Sequence, residues 1–191
     1  RAGARADVLE ETVRSASEIR DIVTQLYNHS EIREKINIFV GANDSALTKI
    51  IVLACLIKWA GVRMDDNYLQ EVAGRDVYLE LRKAGAWASD FLEIRDDRVE
   101  MRSALLSEYF IQRIFSVKEI LDGCYGITTL SARRKFDRFH RRLSGELMKF
   151  STLQRFLKFH TGVDSAIEAH YTKLSNDMNV NAEPLFWLQY A

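Results

Sequence analysis

Residues 91–102 read F-L-E-I-R-D-D-R-V-E-M-R, and this stretch decides the fold. Charged and apolar residues alternate on both sides of Asp96-Asp97, which gives two short segments with a period of two. Such alternation is typical of half-buried strands, and an acidic pair between two strands suits a tight turn. The pattern therefore predicts a β-hairpin.

The residues around this hairpin favour helices. Ser103 follows it directly and has a side chain that favours the N-cap of a helix, with Leu106, Tyr109 and Phe110 at helical spacing behind it. Upstream, apolar spacing and glycine stops predict three helices, near 45–60, 65–73 and 77–84. Three helices followed by a hairpin is the order of elements in a winged-helix domain, a fold that either binds DNA or moves as part of a larger switch.

The chain as a whole is expected to be mainly α. It has one proline in 191 residues, and its glycines fall mostly where helices should stop. We expect a helical bundle with a winged-helix domain, whose single sheet is one short β-hairpin, followed by a helical-repeat-like array. The expected domains are a helical domain at 1–42, the winged-helix domain at 43–115, and at 116–191 a helical linker and the start of a helical repeat array. Because the chain lacks an initiator Met and stops on an aromatic helix, we expect an internal piece of a longer protein.

Two expectations concern the third domain. Gly123 and Gly126 should interrupt a helix that begins near Val117, because glycine lowers helix stability. Beyond them, apolar residues at helical spacing predict a helix from Leu130 to Phe150, which continues through later apolar residues until Gly162 ends it.

Bulk composition is that of an ordinary globular protein. The formal net charge is zero, so the molecule as a whole has no basic field to attract nucleic acid or an acidic membrane. The charge is uneven, however, since residues 65–100 are acidic overall and residues 133–158 are basic. No signal peptide or long apolar run occurs, so a cytoplasmic protein without a membrane partner is expected.

No motif in the chain indicates catalysis. A phosphate-binding G-x-x-x-x-G-K-[ST] loop, G-x-G-x-x-G, H-E-x-x-H and G-x-S-x-G are all missing from the sequence. The acidic pairs at 65–66 and 96–97 are interpreted as a helix cap and a hairpin turn rather than metal ligands. Cys55 and Cys124 lack ligand spacing, and Cys55 is expected to be buried. We expect no catalytic residue, metal site or cofactor within the chain itself, which is not expected to be an enzyme.

Two basic regions offer candidate nucleic-acid contacts. Arg75, Arg82 and Lys83 would face DNA from the helix before the hairpin, although Asp76 and Glu80 on the same helix oppose a polyanion.

The second region is R-R-K-F-D-R-F-H-R-R at 133–142, where arginines surround Phe136 and Phe139. Basic residues interleaved with aromatics can clamp nucleic acid, with Arg134, Arg138 and Arg141 as candidate contacts. The favoured interpretation is a buried aromatic stripe with solvated arginines, and docking onto an acidic protein surface is a further alternative.

The segment V-E-M-R-S-A-L-L-S-E-Y-F at 99–110 resembles the winged-helix arm of STAND-type NTPases. These signalling ATPases include NLR-type immune receptors and bacterial anti-phage defence proteins. In that family a strand leads into a Met-His-Asp motif, which an apolar helix follows. Met101 matches the methionine, Arg102 stands at the histidine and Ser103 stands at the aspartate. The C-terminal P-L-F-W-L-Q-Y-A is similar to helix openings in the repeat arrays of such proteins.

The resemblance implies a role for Arg102. The family's histidine contacts the β-phosphate of bound ADP, so Arg102 is the candidate contact to a nucleotide phosphate, and ATP or ADP would be held by the full-length parent. The implied partners are an upstream ATPase domain of the same chain, downstream sensor repeats and a homo-oligomer, with nucleic acid not expected. The chain would then be a non-catalytic switch arm in bacterial antiviral defence. The alternative is a DNA-binding winged-helix transcriptional regulator with a helical dimerisation tail.

Overall fold

The computed structural model describes residues 34, 36, 45–63, 66–84, 91–95, 98–134 and 136–190. Contacts divide the chain into two compact units, Arg1–Ala42 and Asn43–Ala191. The helical domain predicted at 1–42 lies outside the described residues, apart from Glu34 and Ile36, which are helical.

The described elements of the second unit are nearly all helices. In chain order they are α1 (Ser45–Trp59), α2 (Asp66–Ala73), α3 (Val77–Ala84), β1 (Leu92–Arg95), β2 (Arg98–Met101), α4 (Ala104–Arg113), α5 (Val117–Arg133), α6 (Arg138–Met148), α7 (Phe150–Leu157), α8 (Val163–Ser175) and α9 (Pro184–Tyr190). The mainly α fold with a short hairpin is therefore confirmed for the described part of the chain.

The predicted hairpin is present. β1 pairs with β2 in antiparallel register, which places Leu92 opposite Met101 and Ile94 opposite Val99. Leu92, Val99 and Met101 are buried, while Ile94 near the tip is exposed. The alternation read from the sequence thus supplies the apolar face that packs inward. The Asp96-Asp97 turn lies outside the described residues.

The hairpin is joined to α4 by aromatic packing. Ser103 caps α4 as predicted, and its side chain accepts a hydrogen bond from the Leu106 backbone N–H at 3.4 Å. On the buried face of α4, the Phe110 ring lies 5.7 Å from the ring of Phe91 and 5.6 Å from that of Phe115. Such edge-on and tilted contacts between buried rings stabilise the junction beyond the area they bury.

Helix α1 is the centre of the unit. It packs against α2, α3, α4, α5 and β2. Its run I-I-V-L-A-C-L-I at 50–57 is buried throughout, which is why this helix is apolar on all sides rather than along one stripe. Residues before and after position 115 therefore pack around the same helix, within the one compact unit Asn43–Ala191.

The predicted interruption at Gly123 and Gly126 is wrong, because α5 is continuous through both. A Cβ atom at Gly123 would lie 2.9 Å from side-chain carbons of both Val52 and Leu56, and one at Gly126 would lie 3.2 Å from Val72. Both glycines therefore permit close approach of α1 and α2 to α5. The stability that glycine costs the helix is offset by this packing.

The single helix predicted from Leu130 to Gly162 is also wrong, because this stretch is divided among the end of α5, α6 and α7. The chain leaves α5 after Arg133 and begins α6 at Arg138, with Asp137 as its N-cap. The Asp137 carboxylate accepts hydrogen bonds from the backbone N–H groups of Phe139, at 2.7 Å, and His140, at 3.3 Å. A cap of this kind starts a new helix, so apolar spacing alone could not locate the break.

Candidate functional site

Arg102 lies where the hairpin meets α4. Its backbone N–H donates to the Phe91 carbonyl oxygen at 3.0 Å, and the preceding residue, Met101, is fully buried. The Arg102 side chain is exposed. The backbone of this residue is therefore held by the core, although the residue is exposed to solvent. An arginine in such a position presents planar donors that suit a phosphate.

Ser103, at the family's aspartate position, has a structural role here. Its hydroxyl caps α4, and its carbonyl oxygen accepts a hydrogen bond from the Ser107 hydroxyl at 2.9 Å. These bonds fix the direction in which the chain leaves β2. The backbone at Arg102 is therefore held by its neighbours on both sides.

The hairpin beside Arg102 carries mixed charge. Glu93 stands opposite Glu100 across the strands, and Glu100 accepts a hydrogen bond from Lys58 of α1 at 2.7 Å. This ion pair is partly exposed, so its contribution to stability is small, about 0–1 kcal/mol. The pair joins β2 to α1. Arg98, at the far end of β2, is exposed.

The three residues predicted as DNA contacts on α3 are not equally available. Arg75 and Arg82 are exposed, but the Lys83 ammonium donates to the nearly buried carboxylate of Glu80 at 2.8 Å. Asp76 accepts from the Leu79 backbone N–H at 2.9 Å and places a carboxylate at the start of the helix. This arrangement weakens the case for α3 as a DNA-reading helix.

The basic stretch at 133–142 differs from the favoured interpretation. Phe136 is 95% exposed and Phe139 is 57% exposed, so the predicted buried aromatic stripe is wrong. The reason is the new helix that Asp137 starts, which turns these rings away from the core. Arg138 and Arg141 are exposed as well.

Arg134 is engaged within the protein. Its guanidinium forms an ion pair with Glu71 and lies 6.0 Å from the centre of the Tyr68 ring. Of the three candidate contacts in this stretch, Arg138 and Arg141 are therefore the better placed to meet a partner.

A groove of about 710 Å³ lies between α1, α2 and α5. Its cationic groups already have partners within the protein. Lys49 donates a hydrogen bond to the Ala73 carbonyl oxygen, and both Lys118 and Lys173 form ion pairs with Asp122. The groove therefore offers no convergent set of charged groups for an anionic ligand among the described residues.

Metal and thiol chemistry have little support in the described residues. Within that part of the chain, no three histidine, cysteine or acidic side chains are grouped to hold a metal ion. Cys55 and Cys124 are both buried, and burial raises the pKa of both thiols, to about 12 for Cys124. A raised thiol pKa makes a reactive thiolate unfavourable.

One polar network was missed by the sequence reasoning. Glu108 on α4 accepts two hydrogen bonds from the Arg155 guanidinium of α7, at 3.0 and 2.7 Å, and a third from the Gln112 side chain at 3.2 Å. Gln112 also donates to the Arg155 carbonyl oxygen, and the Arg155 guanidinium lies 5.5 Å from the centre of the Trp59 ring. Glu108 and Gln112 lie one turn apart on an otherwise apolar helix. This spacing was the feature of the sequence that could have indicated the network.

Among the helices that the structure describes, none is long and apolar enough to cross a membrane.

Comparison of the chain with models of protein families, with curated proteins and with solved structures found no match.

Proposed function

We propose that this chain is a regulatory arm of a STAND-type signalling ATPase. The proposal can be tested at one residue, Arg102. In this proposal the parent's ATPase domain binds ATP or ADP, and Arg102 contacts a phosphate of the resting nucleotide. The observation that carries the proposal is the exposed Arg102 side chain at the end of β2, whose backbone is bonded to Phe91. Bacterial antiviral defence is the setting that the resemblance suggests.

The packing behind Arg102 supports a role as a moving arm. The Phe91, Phe110 and Phe115 rings join the hairpin to α4, and the Glu108–Arg155 pair joins α4 to α7. Binding or release of a phosphate at Arg102 would therefore be transmitted to a packed body rather than to a loose loop. A switch requires such a body together with a ligand that interacts differently with its two states.

The parent protein would supply the other parts of the switch. Sensor repeats downstream of this arm would bind the trigger, and release of the Arg102–phosphate contact would allow the arm to rotate. Assembly into a homo-oligomer would follow from that rotation. The chain itself contributes positioning and holds no catalytic role in this scheme.

Arg102→Ala in the full natural polypeptide should accelerate release of ADP roughly 10- to 100-fold, because a charge-assisted hydrogen bond contributes about 1.5–3 kcal/mol. The measurement is the rate at which a fluorescent ADP analogue is displaced by unlabelled ADP. Arg98→Ala is the matched control, since Arg98 is an exposed arginine at the other end of the same strand. Equal rates of ADP release from the two variants and the unaltered protein would show that Arg102 does not contact the nucleotide.

The DNA-binding regulator has weaker support. Arg75 and Arg82 are exposed as that function requires, but the Lys83–Glu80 ion pair and the Asp76 cap place carboxylates on the helix that would face DNA. Binding to duplex DNA that weakens steeply with salt and is lost in an Arg75→Ala, Arg82→Ala double variant would favour this alternative.

A further inference from the structure

A second surface of the molecule has the composition of a binding site. It consists of the exposed residues Arg133, Phe136, Arg138, Phe139, Arg141 and Arg142, at the junction of α5 and α6, and is called the basic corner below. The opposite face of α6 contributes His140, Leu143 and Leu147 to the core. The arginines and the two rings therefore share the outward side of this part of the molecule.

Exposure of two phenylalanines at one corner is unusual. A single exposed apolar side chain is ordinary on a protein surface and needs no explanation. Here, two rings separated by two residues are both mainly exposed, and Phe136 is 95% exposed. Asp137 caps α6 beside both rings, so the turn between α5 and α6 is held by hydrogen bonds. Two exposed aromatic faces beside cations form a candidate docking surface.

The charge of the corner indicates an anionic partner. The whole chain is neutral, yet residues 133–142 contain six lysines and arginines and one acid, Asp137. The Asp137 carboxylate is bonded to two backbone N–H groups, and Arg134 is paired with Glu71. Within the described residues, the four arginines of the corner have no carboxylate partner, so their charge is available to a polyanion.

We propose that the basic corner binds single-stranded nucleic acid. The rings of Phe136 and Phe139 stack on unpaired bases, and the four arginines pair with the phosphates between them. This combination of aromatic platforms and a positive surface is how proteins hold single strands without reading a sequence. The proposal is independent of the nucleotide contact at Arg102.

Other anionic partners fit the corner less well. A membrane-binding surface places its apolar residues on one side and its basic residues on another, whereas here Phe136 and Phe139 alternate with basic residues along the same stretch. Duplex DNA hides the faces of its bases, so two exposed rings would gain nothing from it. An acidic protein surface would form ion pairs with the arginines but would offer the two rings no matching partner.

Fluorescence anisotropy of a labelled oligothymidine of about 20 nucleotides tests the proposal, with the full chain in about 50 mM salt. Base stacking contributes about 1–3 kcal/mol per base, so a Phe136→Ala, Phe139→Ala double variant should bind at least roughly tenfold more weakly. An Arg138→Glu, Arg141→Glu double variant should abolish binding. An abasic strand of the same length should bind about as weakly to the unaltered chain as oligothymidine binds to the phenylalanine variant.

The chain offers a matched control for these variants. Phe159 is 47% exposed, and the Arg113 guanidinium of α4 lies 3.4 Å from its ring centre. An Arg113→Glu, Phe159→Ala double variant removes the same residue types and should leave the affinity unchanged. Because Phe136 is almost fully exposed, Phe136→Ala alone should keep the fold and still weaken binding.

Three results would overturn the proposal. The first is that the phenylalanine variant binds the oligonucleotide with unchanged affinity and only the arginine variant loses affinity. This result would indicate non-specific attraction between charges. The second is binding to vesicles containing phosphatidylserine, or to an acidic peptide, without binding to the oligonucleotide. The third is an equal loss of affinity in the Arg113, Phe159 control.

Discussion

Replacing Phe110 with alanine should lower the free energy of unfolding by about 4 kcal/mol, because a fully buried ring is lost and a cavity is left behind. Phe110 contacts both Phe91 at the start of the hairpin and Phe115 after α4, so the cavity would open at the junction that holds β2 in place. Urea unfolding followed by circular dichroism measures the change.

Phe136→Ala is the matched control for this substitution. The Phe136 ring is 95% exposed, so its loss should change the free energy of unfolding by less than about 0.5 kcal/mol. Similar effects of the two substitutions would contradict the packing described for the hairpin. A large effect of Phe110→Ala alone would support the rigid connection on which the switch proposal depends.

The second large effect is a loss of stability in acid that arises from His170. This side chain is buried on α8, and burial, together with the positive charge of Lys173, lowers the pKa of His170 to about 4. The ordinary value near 6.5 applies in the unfolded chain, so the unfolded state takes up the proton first as the pH falls. The stability due to neutral His170 is therefore fully present above pH 6.5 and is lost progressively between pH 6.5 and pH 4.

The loss should amount to about 3 kcal/mol, since each unit of difference in pKa corresponds to about 1.4 kcal/mol. His170→Gln removes the titrating group, so its stability should fall less between about pH 7.5 and about pH 4.5 than that of the unaltered chain. The measurement is urea unfolding at both pH values for both proteins. Carboxylates contribute to acid sensitivity in both, so the difference between the proteins isolates His170. Equal losses would show that His170 is not the source.

Local patterns allowed much of the region around the hairpin to be predicted. The alternation across 91–102 gave the strands, and the Ser103 side chain gave the start of α4. These features depend on neighbouring residues alone, so the sequence displays them directly. The burial of Cys55 follows in the same way from the apolar residues around it.

Features that depend on distant residues were not predictable in this way. Gly123 was expected to break a helix, and only the approach of Val52 and Leu56 explains why it does not. The exposure of Phe136 and Phe139 depends on the cap that Asp137 provides, which apolar spacing concealed. The basic corner therefore became a candidate site only when the path of the chain was known.

The function of Arg102 likewise could not be predicted from neighbouring residues alone. The sequence placed it at the end of a strand, and the structure adds that its side chain is exposed while its backbone is bonded to Phe91. The nucleotide that it would contact belongs to another domain in our proposal. The identity of that partner therefore comes from the resemblance rather than from the packing of this chain.

The most direct test of the switch proposal is the nucleotide content of the full natural polypeptide that contains this chain. The protein would be purified without added nucleotide and denatured by heat, and the released bases would be identified and quantified by chromatography. We predict close to stoichiometric ADP in the unaltered protein and strongly reduced ADP in the Arg102→Ala variant. A protein that carries no nucleotide and does not bind added ADP would contradict the account.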